Sequence, residues 1–263
     1  MSHAGLRSMA RSVDEVKQVV SSLTDDEWER PSGCAGWSVK DLVAHMSSNY
    51  KEVVDPSPPP DEPLDLPAEA MMELLVDPRR DWTAEQVRDE YLAHCDAALE
   101  AMAALQEEPV ASSPIAIADL GTYEMHQFAD AFAFDHYCHL RIDLLAPLGP
   151  VERDLPPPDD ELVGPAVGWM MAGLPKMQPG LHEQLDGRLR LDLDGPGAQV
   201  HDVVRDGDSL VVVAPTGSPD VTVRSSAHDF VRWGTRRMPW RDACRVDGDE
   251  AVAARFLDAL DIV

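Results

Sequence analysis

The spacing of apolar residues divides this chain into a helical first half and a mixed second half. Met9, Val13, Val16, Val20 and Leu23 fall three or four apart, which lines one helix face and predicts a helix over about Leu6 to Leu23. Thr24-Asp-Asp-Glu27 has the form of a capping box, where a hydroxyl and a carboxylate three residues apart satisfy each other's backbone N–H groups, and predicts a short helical turn. Ser38-Val-Lys-Asp41 repeats that form and opens a helix to about Val54. The run Asp55-Pro-Ser-Pro-Pro-Pro60 ends it, because proline cannot continue the hydrogen-bond ladder. A third helix is expected from Thr83 to about Leu105, with Val87, Tyr91, Ala98, Met102 and Leu105 as its apolar stripe, and a fourth from about Thr122 to Leu145. The segment around Pro67 to Val76 is compatible with a further helical turn. Four helices with short or irregular connections predict an antiparallel four-helix bundle.

The texture changes after Val151-Glu-Arg-Asp-Leu-Pro-Pro-Pro158, a proline-rich, charged stretch that reads as a linker. A helix from about Glu161 to Leu174 is followed by strand patterns at Arg188 to Leu193, Ser209 to Val213 and Asp220 to Arg224. Two closing helices are expected, from about Ala227 to Thr235 and from Asp249 to Leu260. Strands grouped apart from helices indicate a small α+β domain. The expected fold class is therefore α+β in two domains, a helical bundle over residues 1–152 and an α+β domain over residues 153–263.

The fourth helix breaks its own pattern. Its inward face runs Phe128, Phe132, Asp135, His139, Ile142, so a carboxylate and an imidazole four residues apart stand where apolar side chains belong. A buried charge without a partner costs several kcal/mol, so such a pair calls for a counter-charge, a hydrogen-bond network or a metal ion. Metal sites in bundles take ligands at such spacing from one helix and complete the set from another, and His45, mid-helix among apolar residues, can complete it. Two nitrogens and a carboxylate leave one tetrahedral position open, the pattern of a catalytic zinc rather than a structural one. Two plainer readings stand beside this: a hydrogen-bonded core histidine at position 45, and an Asp135–His139 hydrogen bond satisfying both groups. His136 forms an i,i+3 pair with His139 and is a second-ranked ligand candidate.

Composition narrows the field. At 263 residues and 44% hydrophobic content the chain is globular and long enough for one large domain or two modest ones. A formal charge of −26, from 22 basic and 48 acidic residues, opposes binding to nucleic acid or an anionic membrane surface. Cys34, Cys95, Cys138 and Cys244 are scattered without a C-x-x-C pair, which excludes a zinc ribbon or dithiol motif and fits a reducing compartment. Without a leader-like start or an apolar run of about 20 residues, a cytoplasmic, non-membrane protein is expected.

Gly33-Cys-Ala-Gly36-Trp37-Ser-Val-Lys-Asp41-Leu-Val-Ala-His45 resembles the signature of the mycothiol-dependent maleylpyruvate isomerase family, part of the wider DinB-like metalloenzyme group. Asp135-x-x-x-His139-x-Arg141-x-Asp143 resembles that family's second signature, in the expected order and on the expected helix. Phe230-Val-Arg-Trp-Gly-Thr-Arg-Arg237 and the stretch from Val246 to Leu257 look like the family's C-terminal domain, which is related to sterol-carrier-like folds. One position departs: the isomerase that names the family has glutamate where Asp135 stands, one methylene longer.

The resemblance implies a bundle that binds a divalent metal, usually Zn2+, through His45, Asp135 and His139, with the open position for water or the thiol of mycothiol. It implies an enzyme of isomerase or transferase type acting on a small-molecule thiol and an electrophilic substrate. It also points to Arg236 or Arg237 as a clamp for a substrate carboxylate, against the plainer reading of a solvent-facing helix end. Arg141 and Asp143 are expected either to orient His139 or to tie its helix into the bundle. Trp37 is expected to anchor the core or loop rather than stack on substrate. Two alternatives remain at this point: a non-catalytic metal- or ligand-binding protein of the same fold, and a zinc hydrolase or transferase without a thiol cofactor.

Overall fold

A computed structural model describes residues 1–58 and 66–262, so the last two prolines of the expected helix stop, Pro59 and Pro60, lie outside the described residues. The chain divides into two compact units, Met1–Asp119 with Tyr123–Pro157, and Leu120–Thr122 with Pro158–Val263.

Four long helices dominate the first unit: α1 (His3–Val20), α3 (Val39–Val54), α5 (Ala84–Ala104) and α6 (Phe128–Cys138), with the short α2 (Asp25–Trp28) and α4 (Ala68–Val76) between them. The capping boxes at Thr24, Ser38 and Thr83 all form, each hydroxyl accepting from the backbone N–H three residues on. Helix α3 packs on α5, and α1 packs on α6 and α5. Met9, Val13 and Val16 of α1, Leu42, Met46 and Tyr50 of α3, and Val87, Tyr91 and Met102 of α5 form one buried core. At Gly5 the approach of α1 to α6 is close enough that a Cβ would fall 2.9 Å from the backbone nitrogen of Asp130, so glycine is needed there.

The expected fourth helix begins later than its sequence suggests. Gly121–Glu124 is a strand, β2, paired with β1 (Pro114–Ile117), and a 3₁₀ turn over Met125–Gln127 leads into α6. β-branched Ile115, Ile117 and Thr122, with Tyr123, favour extended backbone, and Gly121 at φ +106° takes a conformation that L side chains rarely adopt. After Cys138 the helix widens into a π-helical segment, His139–Leu144, closed by the Leu145 N–H donating to the carbonyl of Leu140.

The second unit joins α7 (Asp160–Met177) to a five-stranded sheet of β3 (Arg188–Asp194), β4 (Gln199–Asp206), β5 (Ser209–Val213), β6 (Val221–Ser226) and β7 (Arg245–Gly248), with α8 (Ala227–Gly234) and α9 (Glu250–Ala259). Strand order is β5-β4-β3-β6-β7, with β3 and β6 parallel and the other pairs antiparallel. Leu189, Leu191 and Leu193 alternate inward along β3. Asp202 on β4 is fully buried and accepts from Arg188 at 2.8 Å and Arg190 at 2.7 Å. These guanidiniums hold its carboxyl far below the usual carboxylate range, against the opposing effect of burial.

Candidate metal centre

Two helices and one loop build the site. The Ser38 cap fixes the start of α3 and sets His45 on a buried face two turns in, its ring only 4% exposed with the residue as a whole. Asp135, three-quarters of the way along α6, and His139, at the start of the π-helical segment, approach His45 from the facing helix. Oδ1 of Asp135 lies 2.9 Å from Nε2 of His45 and 3.5 Å from Nε2 of His139. The two imidazoles meet edge to face with ring centroids 4.8 Å apart.

This donor set suits a divalent ion. Ligand atoms in a tetrahedral zinc site, about 2.0–2.1 Å from the ion, stand roughly 3.3 Å from one another, and the two measured separations straddle that value. One donor atom from each of His45, Asp135 and His139 falls within 4.8 Å of the others. Among the described residues, Asp135 Oδ2 and His45 Nδ1 are buried with no hydrogen-bond partner of good geometry.

The charges are mutually adjusted. Burial opposes the charge on Asp135, but the imidazoles of His45 and His139 outweigh it and hold the carboxyl well below its usual range. Burial also opposes the charge on His139; Asp135, with hydrogen bonds to Asp143 and Cys34, reverses that effect and raises its pKa well above the ordinary value. For His45 burial wins over Asp135 and lowers the pKa, favouring the neutral ring.

The surrounding residues fix the rings. Asp143 Oδ2 is 2.9 Å from Nδ1 of His139, and Arg141 forms an ion pair with Glu15 of α1 at 2.6 Å, so each of these two residues takes one of the two expected tasks. Trp37 lies against His45 with ring centroids 5.2 Å apart and donates its indole N–H to Glu73 of α4 at 2.7 Å. Cys138 is buried, which removes the exposure that oxidation would need.

Two residues escaped the sequence reading. Half-buried Cys34 donates its thiol to Asp143 Oδ2 at 3.3 Å, and its sulfur is 3.7 Å from Nδ1 of His139. A Cβ on neighbouring Gly33 would fall 2.8 Å from the Cα of Asp143, so this loop rests directly on the π-helical segment. Asn49, one turn beyond His45, places Nδ2 3.4 Å from His45 Nε2. Its i+4 spacing from His45 was a usable signal; nothing in the spacing of Cys34 marks its partners.

Arg236 and Arg237 follow α8 in the second unit. Arg236 sits at φ +55° and donates to the carbonyls of Leu260 and Ala259 at 3.1 and 3.3 Å, with Asp261 at 3.3 Å. Its guanidinium is engaged by the segment that follows α9. The Arg237 backbone N–H closes the helix end on the carbonyl of Arg232.

A helical unit that converges two imidazoles and a carboxylate from facing helices, followed in the chain by an α+β unit, defines a bundle protein with a candidate metal centre. Residues 9–139 match the family model of the mycothiol maleylpyruvate isomerase N-terminal domain. Crystal structures of the mycothiol-dependent maleylpyruvate isomerase and of a histidine-to-alanine mutant share the fold. Each has a TM-score of 0.56 and 17% identity, over 92% of this chain and 91% of theirs. No curated protein sequence matches the chain. Among the described residues no helix is long and apolar enough to cross a membrane.

Proposed function

We propose that this protein is a metal-dependent enzyme that activates a small thiol, mycothiol, for isomerisation of or transfer to an electrophilic small molecule, with Zn2+ held by His45, Asp135 and His139. The convergence of Nε2 of His45, Oδ1 of Asp135 and Nε2 of His139 carries this reading. The family model matched by the helical unit supports mycothiol as the thiol, and maleylpyruvate is the electrophile suggested by the enzyme whose fold is shared. His45, Asp135 and His139 would hold a divalent ion, whose charge would favour the ionised, nucleophilic form of a small thiol at neutral pH.

The chain's own residues prepare that chemistry. Asp143 accepts from Nδ1 of His139 and so turns Nε2 toward Asp135. Trp37 covers one side of His45 and limits water there. The Asn49 amide lies 3.4 Å from His45 Nε2 and adds a polar group beside the donor set. For a carboxylate-binding role of Arg236 and Arg237 the support is the sequence pattern; Arg236 is first a clamp on Ala259 and Leu260.

Metal analysis of protein purified without chelators tests the centre, with stoichiometric zinc expected in the native chain and none in His45→Ala. A metal-free native protein would overturn the reading. Incubation with mycothiol and maleylpyruvate then tests the chemistry: isomerised product or thiol consumption is expected, and unchanged thiol and substrate across a panel of electrophiles would remove the thiol assignment while leaving the metal.

A further inference from the structure

His136 has no part in the donor set above, yet it is the least explicable residue of the bundle core. Its side chain is fully buried and stacks on Tyr50, with ring centroids 4.6 Å apart and planes 26° from parallel, while Tyr91 lies 6.1 Å away. Tyr50 in turn stacks on Phe132 at 5.5 Å. A phenyl ring would complete this aromatic column with no polar atom to satisfy. The chain instead places an imidazole there, and among the described residues neither of its nitrogens has a hydrogen-bond partner of good geometry. Leaving a buried polar group unpaired costs about 1–3 kcal/mol, so the imidazole is retained against the stability of the column.

Its neighbour explains the cost. Nδ1 of His136 lies 3.2 Å from Oδ2 of Asp135, and that buried oxygen has no other hydrogen-bond partner among the described residues. An atom able to donate and one able only to accept therefore lie within hydrogen-bond distance of each other. The other oxygen of Asp135 faces His45 and His139.

We propose that His136 is the positioning residue of Asp135: its Nδ1–H engages Oδ2 and leaves Oδ1 as the single oxygen presented to the metal. This rests on the assignment of His45, Asp135 and His139 as ligands. A carboxylate restricted to one oxygen preserves an open coordination position that a two-oxygen ligand would fill, which is the position the proposed thiol requires.

Cobalt(II) binding, followed by competition with a chelator and by visible absorption, tests the proposal in the full-length native protein, His136→Phe and His136→Asn. Phenylalanine keeps the stack and removes the donor, whereas the asparagine Nδ2 returns a donor near the place of Nδ1. Expected for His136→Phe is a folded protein with native far-ultraviolet circular dichroism, with cobalt affinity about 10–100-fold weaker and a less intense spectrum reporting higher coordination. His136→Asn should recover most of the affinity. Native affinity and spectrum in His136→Phe would overturn the proposal, as would equal weakening in both variants, which marks ring shape rather than the donor.

A native protein that binds no cobalt would instead refute the ligand assignment. The pair is tested separately by long-range ¹H–¹⁵N spectra of the metal-free native protein. A proton on Nδ1 of His136 whose resonance moves in Asp135→Asn supports the contact, and a proton on Nε2 overturns it.

Discussion

Asp143 and His139 face each other across one turn of a helix that has widened to a π-helical segment, with Oδ2 2.9 Å from Nδ1. The carboxylate is 1% exposed and also accepts from the Cys34 thiol, so its direction is fixed from two sides. Histidines that ligate metals commonly donate their other N–H to such an acceptor, and removing it typically costs 10–100-fold in affinity. Asp143→Ala is therefore expected to weaken zinc binding by about that factor while far-ultraviolet circular dichroism stays native. Chelator competition measures it, and unchanged affinity would show that His139 is oriented without Asp143.

The core of this site was legible because it violates burial. Asp135 and His139 interrupt an apolar face at i,i+4 spacing, and His45 interrupts another, so a search for polar residues on buried helix faces finds all three. Cys34 was not legible, since its partners lie 105 and 109 residues away and its placement depends on a loop resting on the π-helical segment. Strand β4 escaped for a different reason. Asp202 is buried between two arginines on one face while Val200 is exposed, so the alternation that announces a strand is scrambled. Strand β7 is four residues of mostly exposed character and carries no alternation to read.

The ion pair between Arg141 and Glu15 connects the π-helical segment to α1, with both side chains about nine-tenths buried. Arg141 also donates to the carbonyl of Pro156 at 2.9 Å. Removing one member leaves a buried charge without its counterpart, a loss of about 3–5 kcal/mol. Glu15→Leu should accordingly lower the urea midpoint sharply, and Glu15→Leu with Arg141→Met should recover much of the loss. If the double variant is no more stable than the single, the cost comes from packing of α1 and not from the stranded arginine.

Two carboxyls of the helical unit give acid stability opposite slopes. Glu27 accepts from Arg153 and from the backbone of Thr24, which hold its pKa down at about 2, below the ordinary 4.5. Its contribution is complete above pH 4.5 and is lost as pH falls toward 2. Burial pushes Asp130 the other way, to about 6 from 3.8, partly offset by Ser2 and His126. A folded-state pKa above the unfolded one means that the native protein binds the extra proton, so stability falls as pH rises from about 4 to 6, by up to roughly 3 kcal/mol. Above pH 6 the penalty is fully present. Asp130→Asn should therefore be more stable than the native chain at pH 7 and equal to it near pH 4, whereas Glu27→Gln should be less stable at pH 7 and converge with it near pH 2. Urea midpoints from pH 2 to 8 measure both. Parallel native and Asp130→Asn curves between pH 4 and 6 would mean that Asp130 is solvated in the folded state despite the close approach of α1 to α6 at Gly5.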